Sequence, residues 1–179
     1  MTEPRTPASV DLESKIRAIP DFPKQGILFR DIMPMLQDPT SLRQAVDLIV
    51  EYGTGKHVDI VMGAEARGFI LGAAVAYGLG AGFVCARKPG KLPYKTIHAE
   101  YDLEYGTDRL EIHEDAIKAG QNVLIHDDLL ATGGTACAKV KLVEQLGGNV
   151  VGIAFIVELA DLNGRSKLEG YDIFSLITY

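Results

Sequence analysis

The chain reads as an α/β protein built on a mostly parallel central sheet flanked by helices, and two observations carry that reading. Short runs that are apolar at nearly every position recur along it, whereas a strand wetted on one face would alternate apolar with polar residues. From Val58 onwards these runs are separated by helical patterns, the order that builds parallel crossovers.

Taken in order, Val58–Met62 predicts a strand, Phe69–Tyr77 a buried helix and Phe83–Ala86 a second strand. Val123–Ile125 is another strand, followed by a helix from about Gly134 to Leu146. Ala136, Val140 and Val143 define that helix's apolar face, which assigns Lys139, Lys141 and Glu144 to the other, and Gly147-Gly148 ends it. Val150–Val157 predicts a strand buried on both faces, and Tyr171–Tyr179 a last one. Upstream, Leu42, Val46, Ile49 and Val50 keep helical spacing after Pro39-Thr40. Residues 20–34 are too rich in Pro and Gly for either regular element, and Lys88–Thr96 is polar and loop-like. Tyr101–Glu111 alternates around Gly106-Thr107-Asp108, the pattern of a hairpin. With no repeat and no linker, residues 1–179 are read as one domain.

Composition narrows the function. A chain of 179 residues with 47% apolar content buries a real core and is not intrinsically disordered. Eighteen basic residues against 24 acidic ones, a net charge of −6, argue against broad nucleic-acid binding. Cys85 and Cys137 are too few for a disulfide scaffold, so a reducing cytoplasm is expected. Met1–Leu12 has no apolar stretch and so no signal peptide. Gly68–Ala86 carries no charge, but Gly78, Gly80 and Gly82 break it into a helix, a turn and a strand, so no membrane segment is read there.

The chemistry concentrates in His126-Asp127-Asp128-Leu129-Leu130-Ala131-Thr132-Gly133-Gly134-Thr135, which follows an apolar strand and leads into a helix. Ligands of open parallel sheets bind beyond the carboxyl ends of strands. Gly133 and Gly134 let backbone N–H groups approach a ligand, Thr132 and Thr135 add hydroxyls, and the helix start adds partial positive charge: a phosphate cradle that needs no lysine. Two acids beside a phosphate would repel it unless they have their own task, and accepting from the vicinal hydroxyls of a ribose is one. A capped helix would need one such residue, and here they run in functional order. No Gly-x-x-x-x-Gly-Lys-Ser/Thr loop occurs, the glycines at 78, 80 and 82 precede a strand where a dinucleotide fingerprint would follow one, and no His/Cys/carboxylate cluster has metal-cage spacing.

Val123–Thr135 resembles the phosphoribosyl-diphosphate motif of the type I phosphoribosyltransferases. Asp21–Asp31, Gly63–Phe69, Arg87–Pro93 and Glu104–Gly106 are similar, in order, to blocks of the adenine-specific branch of that family, over about residues 19–179. The resemblance implies a type I phosphoribosyltransferase fold, with a small N-terminal hood at about 20–34 and a flexible catalytic loop at about 90–108. It implies AMP and diphosphate formation from adenine and 5-phosphoribosyl 1-diphosphate, with Mg²⁺ carried by the substrate diphosphate, in a cytoplasmic homodimer.

Residue by residue, the resemblance assigns Asp127 and Asp128 to the ribose hydroxyls and Ala131, Thr132, Gly133, Gly134 and Thr135 to the 5′-phosphate. It assigns Glu65, Ala66 and Arg67 to the diphosphate, with a cis peptide expected between Glu65 and Ala66, and adds Arg87, Lys88 and Lys91 as further positive charge. Leu28, Phe29 and Arg30 would form the adenine site, Phe29 stacking on the base, although a Phe in such a segment equally serves packing. Glu104 would handle the proton at the imidazole edge of adenine, assisted by Tyr105. Two residues depart from the pattern. His126 stands where the family is usually aliphatic, as a satisfied core histidine or a perturber of Asp127, and Lys95 stands where an acid is common.

Two rival readings remain. A phosphoribosyl-diphosphate sensor of this fold would carry an added DNA-binding domain and a basic surface, and the net charge of −6, with about 20 residues ahead of the hood, weighs against that reading. A transferase for hypoxanthine, guanine or xanthine would share the phosphate motif but not the hood or Glu104.

Overall fold

The computed structural model describes residues 11–102 and 107–179. The N-terminal segment holds β1 (Arg17–Pro20) and β2 (Leu28–Asp31), paired antiparallel, and then α1 (Met33–Gln37). Regular structure inside residues 20–34 corrects the expectation of an irregular hood. Pro and Gly crowd the connection, while Arg17↔Asp31 and Ile19↔Phe29 supply the ladder. Asp38 starts α2 (Pro39–Gly53) by accepting hydrogen bonds from the N–H groups of Thr40 and Ser41 at 3.1 and 2.8 Å, with Pro39 in the first turn.

There follow β3 (Ile60–Ala64), α3 (Gly68–Leu79), β4 (Gly82–Ala86), the antiparallel pair β5 (Thr96–Asp102) and β6 (Thr107–His113), β7 (Asn122–Leu130), α4 (Gly134–Gln145), β8 (Asn149–Glu158) and β9 (Ile173–Thr178). The described strands of the central sheet run in the order β4-β3-β7-β8-β9, every neighbouring pair parallel. Its two faces are both apolar. Met62, Ile125, Ile153 and Phe155 pack towards α4 and the β5–β6 hairpin, while Val61, Leu124, Ala154 and Ile156 pack towards α2 and α3. Continuous apolar strands arise because consecutive residues bury on opposite sides.

Four sequence expectations change here. The hairpin begins at Thr96, and Thr107 and Asp108 lie in its second strand rather than at its centre. β7 does not stop at Ile125 but continues through the acids to Leu130, because the long apolar run of β8 keeps pairing with it, Leu129↔Val157 and Leu130↔Glu158. Helix α3 is not buried all round: Leu71 and Val75 are inside, whereas Ile70 is 47% and Tyr77 90% exposed. Lys139 is not on the polar face of α4, since its side chain is fully buried.

Cys85 and Cys137 are free thiols. Among the described residues no helix is long and apolar enough to cross a membrane.

Candidate active site

A cavity of ≈ 300 Å³ opens at the carboxyl ends of β3 and β7, lined by Glu65, Arg67, Lys88, Tyr101, Asp127 and Asp128 and by 129–136. The two acids enter it from the C-terminal half of β7, near the strand end where parallel sheets present ligand sites. Beyond them Ala131, Thr132 and Gly133 turn into α4. Gly133 has φ +81°, and a Cβ there would stand 2.5 Å from the carbonyl oxygen of Gly164. A Cβ on Gly164 would in turn stand 2.2 Å from the carbonyl oxygen of Ala131. The turn that exposes backbone N–H groups at the helix start is thus held by two glycines packed backbone to backbone. Gly164 has no chemistry in its sequence neighbourhood, and no sequence signal marked it.

The β3–α3 turn carries a non-proline cis peptide between Glu65 and Ala66, as the family resemblance led us to expect. Ala66 itself does not line the cavity. Glu65 turns away from an anion-binding role of its own. Its carboxylate accepts from Arg87 Nη2 (2.9 Å) and Nε (3.2 Å) and from the N–H of Lys88. Burial pushes its pKa up, but those partners outweigh burial and hold the carboxyl below the usual range. Arg67 crosses to Asp128, Nε to Oδ2 at 2.5 Å, and its guanidinium lies 5.2 Å from the centre of the Phe29 ring.

Asp127 faces inward. Oδ2 accepts from Lys139 Nζ at 2.7 Å and Oδ1 from the N–H of Asp128 at 3.0 Å. Asp128 is raised to about 7, first by burial and then by the charge of Asp127 beside it, with Arg67 opposing both. His126, fully buried, bonds through Nδ1 to the carbonyl of Ala154 at 3.1 Å, while its Nε2 has no hydrogen-bond partner among the described residues. Burial lowers it to about 4, so the ring is neutral: it is a core histidine, though satisfied at one nitrogen rather than both.

Of the residues singled out from sequence, the cavity gathers Glu65, Arg67, Lys88, Asp127, Asp128 and the 131–135 turn. Lys88 is paired with Asp108 of β6, whose carboxylate also accepts from the Tyr101 hydroxyl at 3.2 Å. Arg87 and Lys91 lie outside the lining: Arg87 is spent on Glu65 and on the carbonyl of Lys91. Leu28 and Arg30 also lie outside it, Leu28 being 47% exposed and Arg30 stacked 3.6 Å over the Tyr179 ring, while Phe29 reaches the site through Arg67. Glu104 and Tyr105 lie outside the described residues. Tyr101 and Lys139 are contributors that sequence reading missed. Lys95, the other departure, makes a surface contact with Glu114 at 3.9 Å, away from the cavity. Among the described residues no group of three or more His, Cys, Asp or Glu side chains is arranged to hold a metal ion.

The cavity thus brings together the 131–135 turn at the start of α4, two adjacent acids of β7 and the arginine that faces them, at the carboxyl ends of parallel strands. Comparison with known proteins gives the family. The model of the phosphoribosyl transferase domain matches residues 36–177. An adenine phosphoribosyltransferase of Thermotoga neapolitana is 59% identical, covering 95% of this chain and all of its own. The crystal structure of the Thermoanaerobacter pseudethanolicus adenine phosphoribosyltransferase superposes with a TM-score of 0.92 at 55% identity, covering 94% of this chain and 98% of that one. The Saccharomyces cerevisiae enzyme, crystallised with an imino-altritol bisphosphate and adenine, superposes at 0.86 with 44% identity over 92% of this chain and 96% of its own. The chain belongs to the phosphoribosyltransferase family, and within it to the adenine phosphoribosyltransferases.

Proposed function

We infer that the chain transfers the 5-phosphoribosyl group from 5-phosphoribosyl 1-diphosphate to N9 of adenine, giving AMP and diphosphate. The observation that carries this is the joining of a glycine-walled phosphate turn to two carboxylates in one cavity. The 131–135 turn takes the 5′-phosphate through backbone N–H groups and the Thr132 and Thr135 hydroxyls. Asp127 and Asp128 accept from the ribose hydroxyls, which sets C1′ over the β3–α3 turn. Arg67 leaves Asp128 for the departing diphosphate, a planar fork suited to two phosphate oxygens.

As the C1′–O bond to diphosphate breaks, positive charge builds on the ribose, N9 bonds to C1′ from the opposite face, and configuration inverts. Two ionised carboxylates beside that ribose favour the cationic state. Glu104 manages the proton at the base's imidazole edge, with Tyr105 beside it; Glu104→Gln lowers kcat by about 10²–10⁴. Phe29 packs against the base, with Leu28 and Arg30 presenting backbone to its edge. Mg²⁺ enters as part of the substrate, on its diphosphate.

The remaining readings follow from kinship. Residues 1–179 form one transferase domain that works in the cytoplasm as a homodimer, a state to which the exposed Ile70 and Tyr77 of α3 lend an apolar face. The test is formation of AMP and diphosphate from adenine and the Mg²⁺–phosphoribosyl diphosphate complex. Turnover that stops on chelating Mg²⁺ and resumes on its return is expected, and no AMP under any condition overturns the reading.

A further inference from the structure

Beneath the two acids lies a cation that the reaction does not account for. Lys139 rises from the second turn of α4 and is fully buried, its Nζ donating to Asp127 Oδ2 at 2.7 Å and to the carbonyl of His126 at 3.2 Å. A buried ammonium is expensive to desolvate and is retained where it is paired and hydrogen-bonded. Both partners belong to β7, so Lys139 also ties the phosphate-turn helix to the strand end carrying the acids.

The charged and titratable groups around Asp128 are Asp127 on its own strand, Arg67 from the β3–α3 turn and Lys139 from α4, with Glu65, Lys88 and Tyr101 lining the same cavity. His126, on the same strand, is neutral. Two acids therefore face two close cations of different kinds. Arg67 is about one-third exposed and opens to the substrate; Lys139 is sealed from it. When Arg67 turns to a diphosphate, Lys139 is the cation left to the pair.

We propose that Lys139 is a positioning residue of the ribose site: acting through Asp127, it is the permanent counter-ion that lets Asp127 and Asp128 stand charged side by side while Arg67 is exchanged to the substrate. This rests on the assignment of the two acids to the ribose. It explains how two adjacent carboxylates are both buried, and it makes α4 the bearer of both the phosphate turn and the charge that sustains the diol clamp.

Lys139→Met tests it by two readouts, one independent of turnover. Carboxyl carbon NMR follows the titration of Asp128, and its midpoint is expected to rise by about one pH unit or more once the nearby cation is gone. Steady-state kinetics near pH 7 are expected to show KM for phosphoribosyl diphosphate up by about tenfold, with KM for adenine unchanged. A midpoint at the wild-type value, or an unchanged KM for phosphoribosyl diphosphate, overturns the proposal. Should Lys139→Met fail to fold, Lys139→Gln, which keeps a donor to Asp127 without the charge, carries the same two readouts with the same expected and overturning results. Wild-type protein that titrates as described but makes no AMP would defeat the functional reading and leave the charge arrangement standing.

Discussion

Arg67 Nε and Asp128 Oδ2 meet at 2.5 Å in the cavity, so the cis turn after β3 and the acids of β7 are joined by an ion pair. In the proposed reaction both side chains turn to substrate, whereas in the structure each occupies the other. Arg67→Ala removes the bidentate grip on diphosphate and leaves Asp128 short of a cation. We expect kcat/KM for phosphoribosyl diphosphate to fall by about 10²-fold, close to 3 kcal/mol, while binding of adenine alone is little changed. Arg67→Lys keeps the charge without the fork and should recover only part of the loss. Initial-rate kinetics with each substrate varied in turn check both.

The acid limb of activity should report Asp128. A carboxyl raised to about 7 by burial and by Asp127 is protonated below that pH and no longer accepts from a hydroxyl as a carboxylate does. kcat/KM for phosphoribosyl diphosphate therefore rises with pH to a plateau above about 7. Asp128→Asn should erase this limb and sit on a level about 10–100-fold below the plateau. A pH–rate profile of the two proteins decides it.

Gly164 makes a prediction far in sequence from the motif it serves. A methyl there would stand 2.2 Å from the Ala131 carbonyl oxygen, and backbone must move to admit it. Gly164→Ala should cost about 1–3 kcal/mol of stability by overpacking and raise KM for phosphoribosyl diphosphate more than KM for adenine. Urea unfolding and substrate kinetics on the same preparation check the pair of effects.

His126 should make the fold acid-sensitive. Its ring titrates near 4 when folded against 6.5 when free, so between those values the unfolded chain binds the extra proton and stability falls as pH drops. The full contribution, present above pH 6.5, is about 3 kcal/mol and is lost by about pH 4. His126→Val should flatten that part of the stability–pH curve, measured by urea unfolding of both proteins from pH 7 to 4.

What could be read beforehand was what local chemistry alone determines. The 123–135 block announces its turn through Thr132-Gly133-Gly134-Thr135, and the apolar runs of β3, β7 and β8 announce a doubly covered sheet. What could not be read depends on partners distant in sequence. The strand β7 continues past His126 and two acids only because β8 pairs with it. β2 is a strand because Arg17–Pro20 lies beside it. Lys139 looked solvated beside Lys141 and Glu144. Yet it stands three residues after Ala136 and four before Val143, on the buried stripe itself. A charged residue on such a stripe, in the helix that follows a strand carrying two acids, was the available signal.

The most direct measurement of the central claim is AMP formation with adenine, hypoxanthine and guanine offered in parallel with Mg²⁺ and phosphoribosyl diphosphate. The account predicts rapid diphosphate release with adenine and little or none with the oxopurines. Preferred turnover of an oxopurine would contradict the base assignment while leaving the ribose-phosphate site intact. Tight phosphoribosyl-diphosphate binding without turnover of any base would contradict the claim that this cavity is catalytic.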